Sequence, residues 1–311
     1  MRAATIVDGR IEVADHPDPE PQDGQLLVRV RAAGLNGADM MQLAGKYPPP
    51  PGAPDIPGLE LAGEVVSCGR RDGRFEPGDR VMAIVAGGGQ AEYAVVHERT
   101  AMPVPDELDW TAAGGVPEVF TTAHDALFTQ AGLMCGERLL VHGAAGGVGM
   151  AAVQLGEMAG ARVTATVRNE QARAQIAAFG AHAIAPEGFV DEGEYDVILE
   201  LVGAPNLSDN LDALAIGGRI CIIGIGAGAT TEIDLRKLMG KRGRLHGSTL
   251  RGRPIEEKAL AARLVEKMVL PGFVSGDLSV PVTQSFALDD APAAYERFQA
   301  GGKLGKIVLE T

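Results

Sequence analysis

The sequence predicts an α/β protein with a β-rich front region and a doubly wound parallel sheet behind it. Three observations support this. From Arg138 onward, short apolar runs alternate with helical stretches in βαβα order, which implies a parallel sheet covered by helices on both faces. Before residue 109 the chain reads instead as short strands broken by turns. Glycine is abundant, at 42 of 311 residues, while aromatics are only 4%, a balance suited to tight strand-to-helix turns and close backbone approaches. A chain of 311 residues suits two domains.

In chain order, Ala3–Val7 and Arg10–Val13 form a hairpin around Asp8-Gly9, a favoured turn pair. Gln25–Ala32 alternates as a half-buried strand does. Glu60–Cys68 and Arg80–Val85 are further strands, separated by the Pro-Gly turn of residues 76–80. Residues 45–58 hold six prolines and form a stiff loop, neither helix nor central strand. Asp109 or Thr111 caps a helix through residues 111–131 that contains Pro117. Then come a strand at Arg138–His142, a helix at Met150–Ala159, a strand at Arg162–Val167 and a helix at Glu170–Phe179 ended by Gly180. Tyr195–Val202, Arg219–Ile225 and Arg244–Leu250 are strands, with a helix at Leu207–Ala215. The tail reads as helix Ile255–Val269, strand Leu278–Val282, helix Leu288–Gln299 and closing strand Lys306–Glu310. Too short to fold alone, it returns to one of the other regions.

The net charge of −13 makes nucleic acid and negative membrane surfaces poor partners. Cys68, Cys135 and Cys221 are odd in number and widely spread, which argues against a disulfide framework or a four-Cys zinc lobe. The histidines have no metal-ligand spacing and read as structural. The N-terminus has no long apolar run, and no stretch of 18 apolar residues occurs free of charges or turn glycines. A cytoplasmic protein is expected.

The stretch LLVHGAAGGVGMAAVQL sets glycines between a strand and a helix. Against the pattern G-x-G-x-x-G, the three positions are Ala144, Gly146 and Gly149. Gly146 lets backbone approach a pyrophosphate, Gly149 lets helix pack on strand, the helix N-terminus offers unpaired N–H groups, and Gly147 and Val148 complete the cofactor-binding turn. The flanking strand and helix are the context that a dinucleotide-binding turn requires. A ribose 2′-hydroxyl is normally read by an acid at the tip of the second strand. That tip reads Thr166-Val167-Arg168-Asn169, with no carboxylate, and Arg168 stands where a 2′-phosphate would lie. NADPH is therefore favoured over NADH.

The stretches GLNGADMMQLAGKYPPPPG (34–52), IPGLELAGEV (56–65), PGDRV (77–81), VPEVFTTAHDAL (116–127), VHGAAGGVG (141–149) and GKLGKIVLE (302–310) together resemble the medium-chain dehydrogenase/reductase superfamily. More narrowly they resemble its zinc-free, zeta-crystallin-like NADPH:quinone oxidoreductases. The resemblance implies a GroES-like β-rich catalytic domain at 1–112 and 253–311, a Rossmann domain at 113–252, and a homodimer formed through the strand near 244–250.

Relatives with catalytic zinc carry a Cys early in the front domain and a Gly-His-Glu motif; the matching positions here are Asn36 and Leu59-Glu60. Leu cannot ligate a metal and Asn is a poor zinc ligand, so no metal is expected. Without a Lewis acid, alcohol oxidation is disfavoured and reduction of an activated acceptor remains. The resemblance implies that Asn36 and Tyr47 are catalytic, with Asn36 facing nicotinamide and acceptor and Tyr47 binding or protonating a quinone. It also implies cofactor roles for Thr122, Gly203, Gly224, Leu250 and Lys303. Two departures concern adenosine: Ala172, flanked by Arg168 and Arg173, stands near the family's phosphate-binding Lys, and AIAPEGF lacks the family's adenine-facing Tyr. Glu118 either lines the site or caps and pairs locally. The expected activity is NADPH-dependent reduction of a quinone. The alternatives are reduction of an enone or enoyl double bond, and a non-catalytic nucleotide-binding sensor.

Overall fold

The computed structural model describes residues 1–69, 73–302 and 304–311. These form two compact units, residues 1–121 with 250–311, and residues 122–249. The first seam falls inside the helix Pro117–His124, later than 112/113. Residues 113–121 stay with the first unit because Gly34 donates to the Gly114 carbonyl at 2.9 Å, Glu118 N–H bonds Glu60, and Phe120 packs edge-on against Phe273. The second seam, at 249/250, precedes the expected 252/253.

In the first unit, Arg2–Val7 and Arg10–Asp15 pair antiparallel. Asp8 and Gly9 both take positive φ, at 48° and 74°, as a type I′ hairpin turn requires. The main sheet contains Gln25–Gly34, Glu60–Cys68, Arg80–Ile84, Tyr93–His97, Met102–Pro103, Val282–Ala287 and Lys306–Glu310. Its core is an apolar face that includes Leu26, Val28, Val30, Leu61 and Val81. The tail's last strand pairs antiparallel with Gln25–Gly34, setting Val308 opposite Gly34. That register carries Lys306 to the end of the same strand.

Several local expectations shift. The short strands Tyr93–His97 and Met102–Pro103 and the helices Gly37–Leu43 and Leu270–Ser275 add to the elements read from the sequence. The single helix expected over 111–131 is three pieces: Trp110–Ala113, Pro117–His124 and a π-helical turn Asp125–Gln130. Pro117 has no N–H to continue the first piece, so it begins the second. The strand expected at Leu278–Val282 lies at Val282–Ala287, beyond Pro281, which cannot donate to a ladder.

In the second unit, six strands are all parallel. Their order is His182–Ile184, Arg162–Thr166, Arg138–Val141, Tyr195–Glu200, Leu214–Ile222, Arg244–Gly247. Sequence order reverses between Arg138–Val141 and Tyr195–Glu200, the switch point where doubly wound sheets bind ligands. His182–Ile184 and the helix Leu235–Lys241 carry no readable pattern; Leu235 and Met239 are exposed. Among the described residues, no helix is long and apolar enough to cross a membrane.

Candidate active site

At the switch point the second unit brings backbone, not side chains, to the surface. Gly143 takes φ 64°, a conformation L side chains rarely adopt, and its carbonyl accepts from Gly146 N–H at 3.0 Å. The helix Gly147–Met158 starts immediately, with Gly146 as N-cap residue. Its first N–H groups have no acceptor within the helix and form the positive end of the helix dipole. A Cβ on Gly149 would lie 2.6 Å from Ala144 Cα and 2.7 Å from Gly143 O, so helix and turn touch backbone to backbone. The tight-turn role that the pattern puts at Ala144 is performed by Gly143. Ala144, fully buried, is therefore compatible with the turn.

The neighbouring turn is equally close-packed. Gly203 takes φ 116°, and a Cβ there would lie 2.6 Å from Gly228 O; a Cβ on Gly224 would collide with Leu201 O. Glu200, 1% exposed, fixes this turn by accepting from Val202 N–H at 2.6 Å and Gly203 N–H at 2.8 Å. Asn210 Nδ2 donates to the same carboxylate at 2.8 Å, and Asn210 Oδ1 lies 2.7 Å from His142 Nε2. Burial lowers the His142 pKa, with Glu200 opposing, so the ring is neutral at neutral pH. Asn210 Oδ1 only accepts, so Nε2 carries the proton and Nδ1 accepts from Thr166 Oγ1 at 3.0 Å. One buried network thus ties three strand ends together beneath the glycine turns.

At the second strand's tip, Arg168 is exposed and has no hydrogen bond or ion pair among the described residues. Asn169 caps the helix Glu170–Ala177, its Oδ1 accepting from Gln171 N–H at 2.9 Å and Ala172 N–H at 3.2 Å. One turn on, Arg173 Nε is a buried donor without an acceptor. These features fit a nucleotide: Gly146 puts no side chain at the helix start, the first helix N–H groups have no acceptor within the helix, and guanidinium donors without partners stand at and just beyond the strand tip.

The first unit holds a buried ionic cluster. Asn36 follows the strand Gln25–Gly34 and begins the helix Gly37–Leu43, where Asp39 Oδ2 accepts from Asn36 N–H at 2.8 Å. The Asn36 carboxamide is held at both ends. Its Nδ2 donates to Glu60 Oε1 at 2.9 Å, and its Oδ1 accepts from Lys306 Nζ at 2.8 Å. Lys306 Nζ also donates to Glu60 Oε1 at 2.5 Å and to the Leu35 carbonyl at 3.0 Å. Glu60 Oε2 accepts from Glu118 N–H at 2.8 Å. Glu60 is wholly buried and Lys306 is 2% exposed. They fit because residue 34 is glycine: a Cβ there would run into Glu60 Oε1 and lie 2.8 Å from Lys306 Cε. Burial pushes Asp39 up to about 6, against its bonds from Asn36 and Gly58. Part of Glu118 reaches solvent, yet burial of its carboxyl pushes it up to about 8, with Glu60 adding and Lys306 opposing.

Comparison with known proteins fits both units. The alcohol dehydrogenase GroES-like domain family matches residues 22–106, and the zinc-binding dehydrogenase family matches residues 147–267. The quinone oxidoreductase of Rattus norvegicus is 34% identical over 94% of this chain and 90% of its own. That of Homo sapiens is 31% identical over 99% and 97%. A mycobacterial protein solved in complex with NADPH superposes with a TM-score of 0.88 at 26% identity, covering 100% of both chains. The chain belongs to the medium-chain dehydrogenase/reductase superfamily. It is an oxidoreductase, and the superfamily implies a nicotinamide cofactor and a small-molecule substrate.

The other residues expected from the superfamily fall in different settings. Tyr47, half-buried in the proline loop, lies under the Arg251 guanidinium, 5.0 Å from ring centroid to Cζ. Arg251, 5% exposed, also donates to Tyr47 O at 2.9 Å, Ala86 O at 2.8 Å and Gln42 Oε1 at 2.7 Å. Thr122 is buried, and its hydroxyl has no hydrogen bond among the described residues. Leu250, expected at a strand tip of the Rossmann sheet, lies beyond the end of Arg244–Gly247 and in the first unit. There it lines a small pocket with Met102, Thr121 and Lys258, because the strand stops three residues short of it. Lys303 lies outside the described residues. Sequence reasoning missed Asp39, Lys306 and Arg251. The available signal was a lone charge in a largely apolar run, as with Asp39 in GADMMQL.

Proposed function

We propose that this protein is a zinc-independent NADPH:quinone oxidoreductase. The observation that carries this reading is the occupancy of the Asn36 carboxamide. The position at which zinc relatives place a cysteine is bonded to a side-chain cation, Lys306, and to Glu60. Leu59, at the histidine position, is buried and has no lone pair to offer a metal. Arg168 and Arg173, with no carboxylate at the strand tip, favour a 2′-phosphate and hence NADPH.

In this reading the bound nicotinamide supplies a hydride. The chain's own residues do the rest. The turn at Ala144, Gly146, Gly147, Val148 and Gly149 binds the diphosphate through backbone N–H groups, while Gly203 and Gly224 keep side chains out of its way. Arg168 takes the 2′-phosphate, and Asn169 holds the adjoining helix start. Thr122 offers its hydroxyl to the nicotinamide. Asn36, fixed by Lys306 and Glu60, presents a rigid polar edge to the acceptor. Tyr47, clamped by Arg251, presents a ring for a flat quinone. We also propose a homodimer through the backbone of Arg244–Gly247, an edge strand of its sheet.

The test is steady-state oxidation of NADPH with 1,2-naphthoquinone as acceptor, alongside metal analysis of the active protein. Turnover by protein free of zinc is expected. Stoichiometric zinc in the active material refutes the metal-free reading. Turnover with enones but no quinone moves the assignment to double-bond reduction. Tight NADPH binding without turnover of any acceptor moves it to a nucleotide sensor.

A further inference from the structure

We propose that Glu118 is the catalytic acid that protonates the reduced acceptor, an inference that rests on the quinone-reductase reading. Glu118 opens the helix Pro117–His124, and its backbone N–H is bonded to Glu60 Oε2 at 2.8 Å. This bond fixes it beside the Asn36–Glu60–Lys306 cluster. Its carboxyl has no hydrogen-bond partner among the described residues, whereas Asp39 and Glu60 both have theirs filled. Its charged neighbours come from every element around it. They are Glu60 and Lys306 from the sheet, Asp39 from the helix Gly37–Leu43, Arg251 from the Tyr47 clamp, and Lys258 from the helix Ile255–Met268. Glu118 is therefore coupled to both groups assigned to the acceptor, Asn36 through Glu60 and Tyr47 through Arg251. It is an uncommitted acid, partly open to solvent, and can be reprotonated from water.

The step balances. A quinone that has received a hydride, at the expense of the dinucleotide's oxidation, is a hydroquinone monoanion. The O–H bond of Glu118 breaks, and an O–H bond forms on the anionic oxygen. Glu118 is left as a carboxylate and takes its proton back from solvent. The local setting keeps the acid protonated at neutral pH: burial disfavours the charged form, Glu60 reinforces this, and the cations at Lys306 and Arg251 keep the proton from being held too tightly. Tyr47 then serves as a binding contact.

Two measurements on the full-length protein test this. In pH-difference infrared spectra of the ligand-free protein, the carbonyl band of a protonated carboxyl is expected at neutral pH. It should titrate away near pH 8 and be missing from Glu118→Gln. Asp39→Asn identifies the separate band that Asp39 contributes near pH 6. In steady-state kinetics, wild-type kcat/KM with a quinone should fall as pH rises through about 8. Glu118→Gln should lose about 100-fold at pH 7 and lack that limb, and Glu118→Asp should recover part of the rate with the limb restored. Equal rates in Glu118→Gln, or a slow variant that keeps the wild-type limb, overturns the proposal. A band unaffected by Glu118→Gln also overturns it. Failure of wild type to reduce any quinone overturns the functional reading instead, and the infrared titration still reports separately on Glu118. If Glu118→Gln does not fold, Glu118→Asp carries the kinetic test: loss of the alkaline limb there overturns the proposal.

Discussion

Replacing Lys306 with Met tests how the first unit holds its buried charge. Lys306 and Glu60 are almost fully inaccessible, and Nζ reaches Glu60 Oε1 at 2.5 Å and Asn36 Oδ1 at 2.8 Å. Methionine fills a similar volume but leaves the Glu60 carboxylate with two donors, Asn36 Nδ2 and Glu118 N–H. Removing one partner of a buried pair costs about 3–5 kcal/mol, because the remaining charge stays desolvated. For a unit of roughly 180 residues, each kcal/mol moves Tm by about 2–4 °C, so Tm should fall by about 6–20 °C. The assay is thermal unfolding followed by circular dichroism, on the wild type, Lys306→Met and the double variant Glu60→Gln/Lys306→Met. Glu60→Gln removes the orphaned charge and keeps one carbonyl acceptor, enough for Asn36 Nδ2 or Glu118 N–H but not both, so the double variant should regain part of the loss. A Lys306→Met variant melting within 2 °C of wild type, or a double variant no better than the single one, refutes the reasoning.

The two motif glycines separate fold from binding. A Cβ on Gly146 meets only Gly143 O, at an ordinary 3.5 Å, and its φ of −77° suits alanine; Gly146→Ala should keep its Tm and lose at least about tenfold in NADPH affinity, measured by calorimetry. Gly149→Ala must displace backbone at 2.6 Å and should lose about 1–3 kcal/mol of stability as well as binding, read by melting and the same titration. Arg168→Ala should weaken NADPH at least about tenfold while leaving NADH nearly unchanged; equal losses for both contradict the 2′-phosphate role. Asp39 is pushed up to about 6 in the fold, so its protonated form is the favoured one. Its contribution is fully present below about pH 4 and is lost as pH rises to about 6, an effect of about 3 kcal/mol. Chemical denaturation across that range should show wild type losing stability relative to Asp39→Asn, and parallel curves refute it.

What was readable in the sequence was local. The strand–glycine–helix turn of residues 138–158 could be found because each piece constrains its immediate neighbours, and the hairpin at Asp8-Gly9 for the same reason. Periodicity misleads where one pattern conceals a break. Pro117 and the Gly114-Gly115 pair sit in a run with helical composition, and the π-turn at Asp125–Gln130 leaves no trace in periodicity. The acid–base cluster was hidden for another reason. Asn36, Glu60, Glu118 and Lys306 come from four segments, and Lys306 is 270 residues from the asparagine it bonds. Only the register of the last strand, Val308 opposite Gly34, brings them together. A register slip of one residue would send Lys306 to the opposite face of the sheet and leave Glu60 buried beside no cation. The cost of such an orphaned carboxylate, about 3–5 kcal/mol, disfavours the wrong register. The same pair that fixes Asn36 at the candidate site thereby helps align the tail on the front sheet, so the site and the chain's closing strand are specified together.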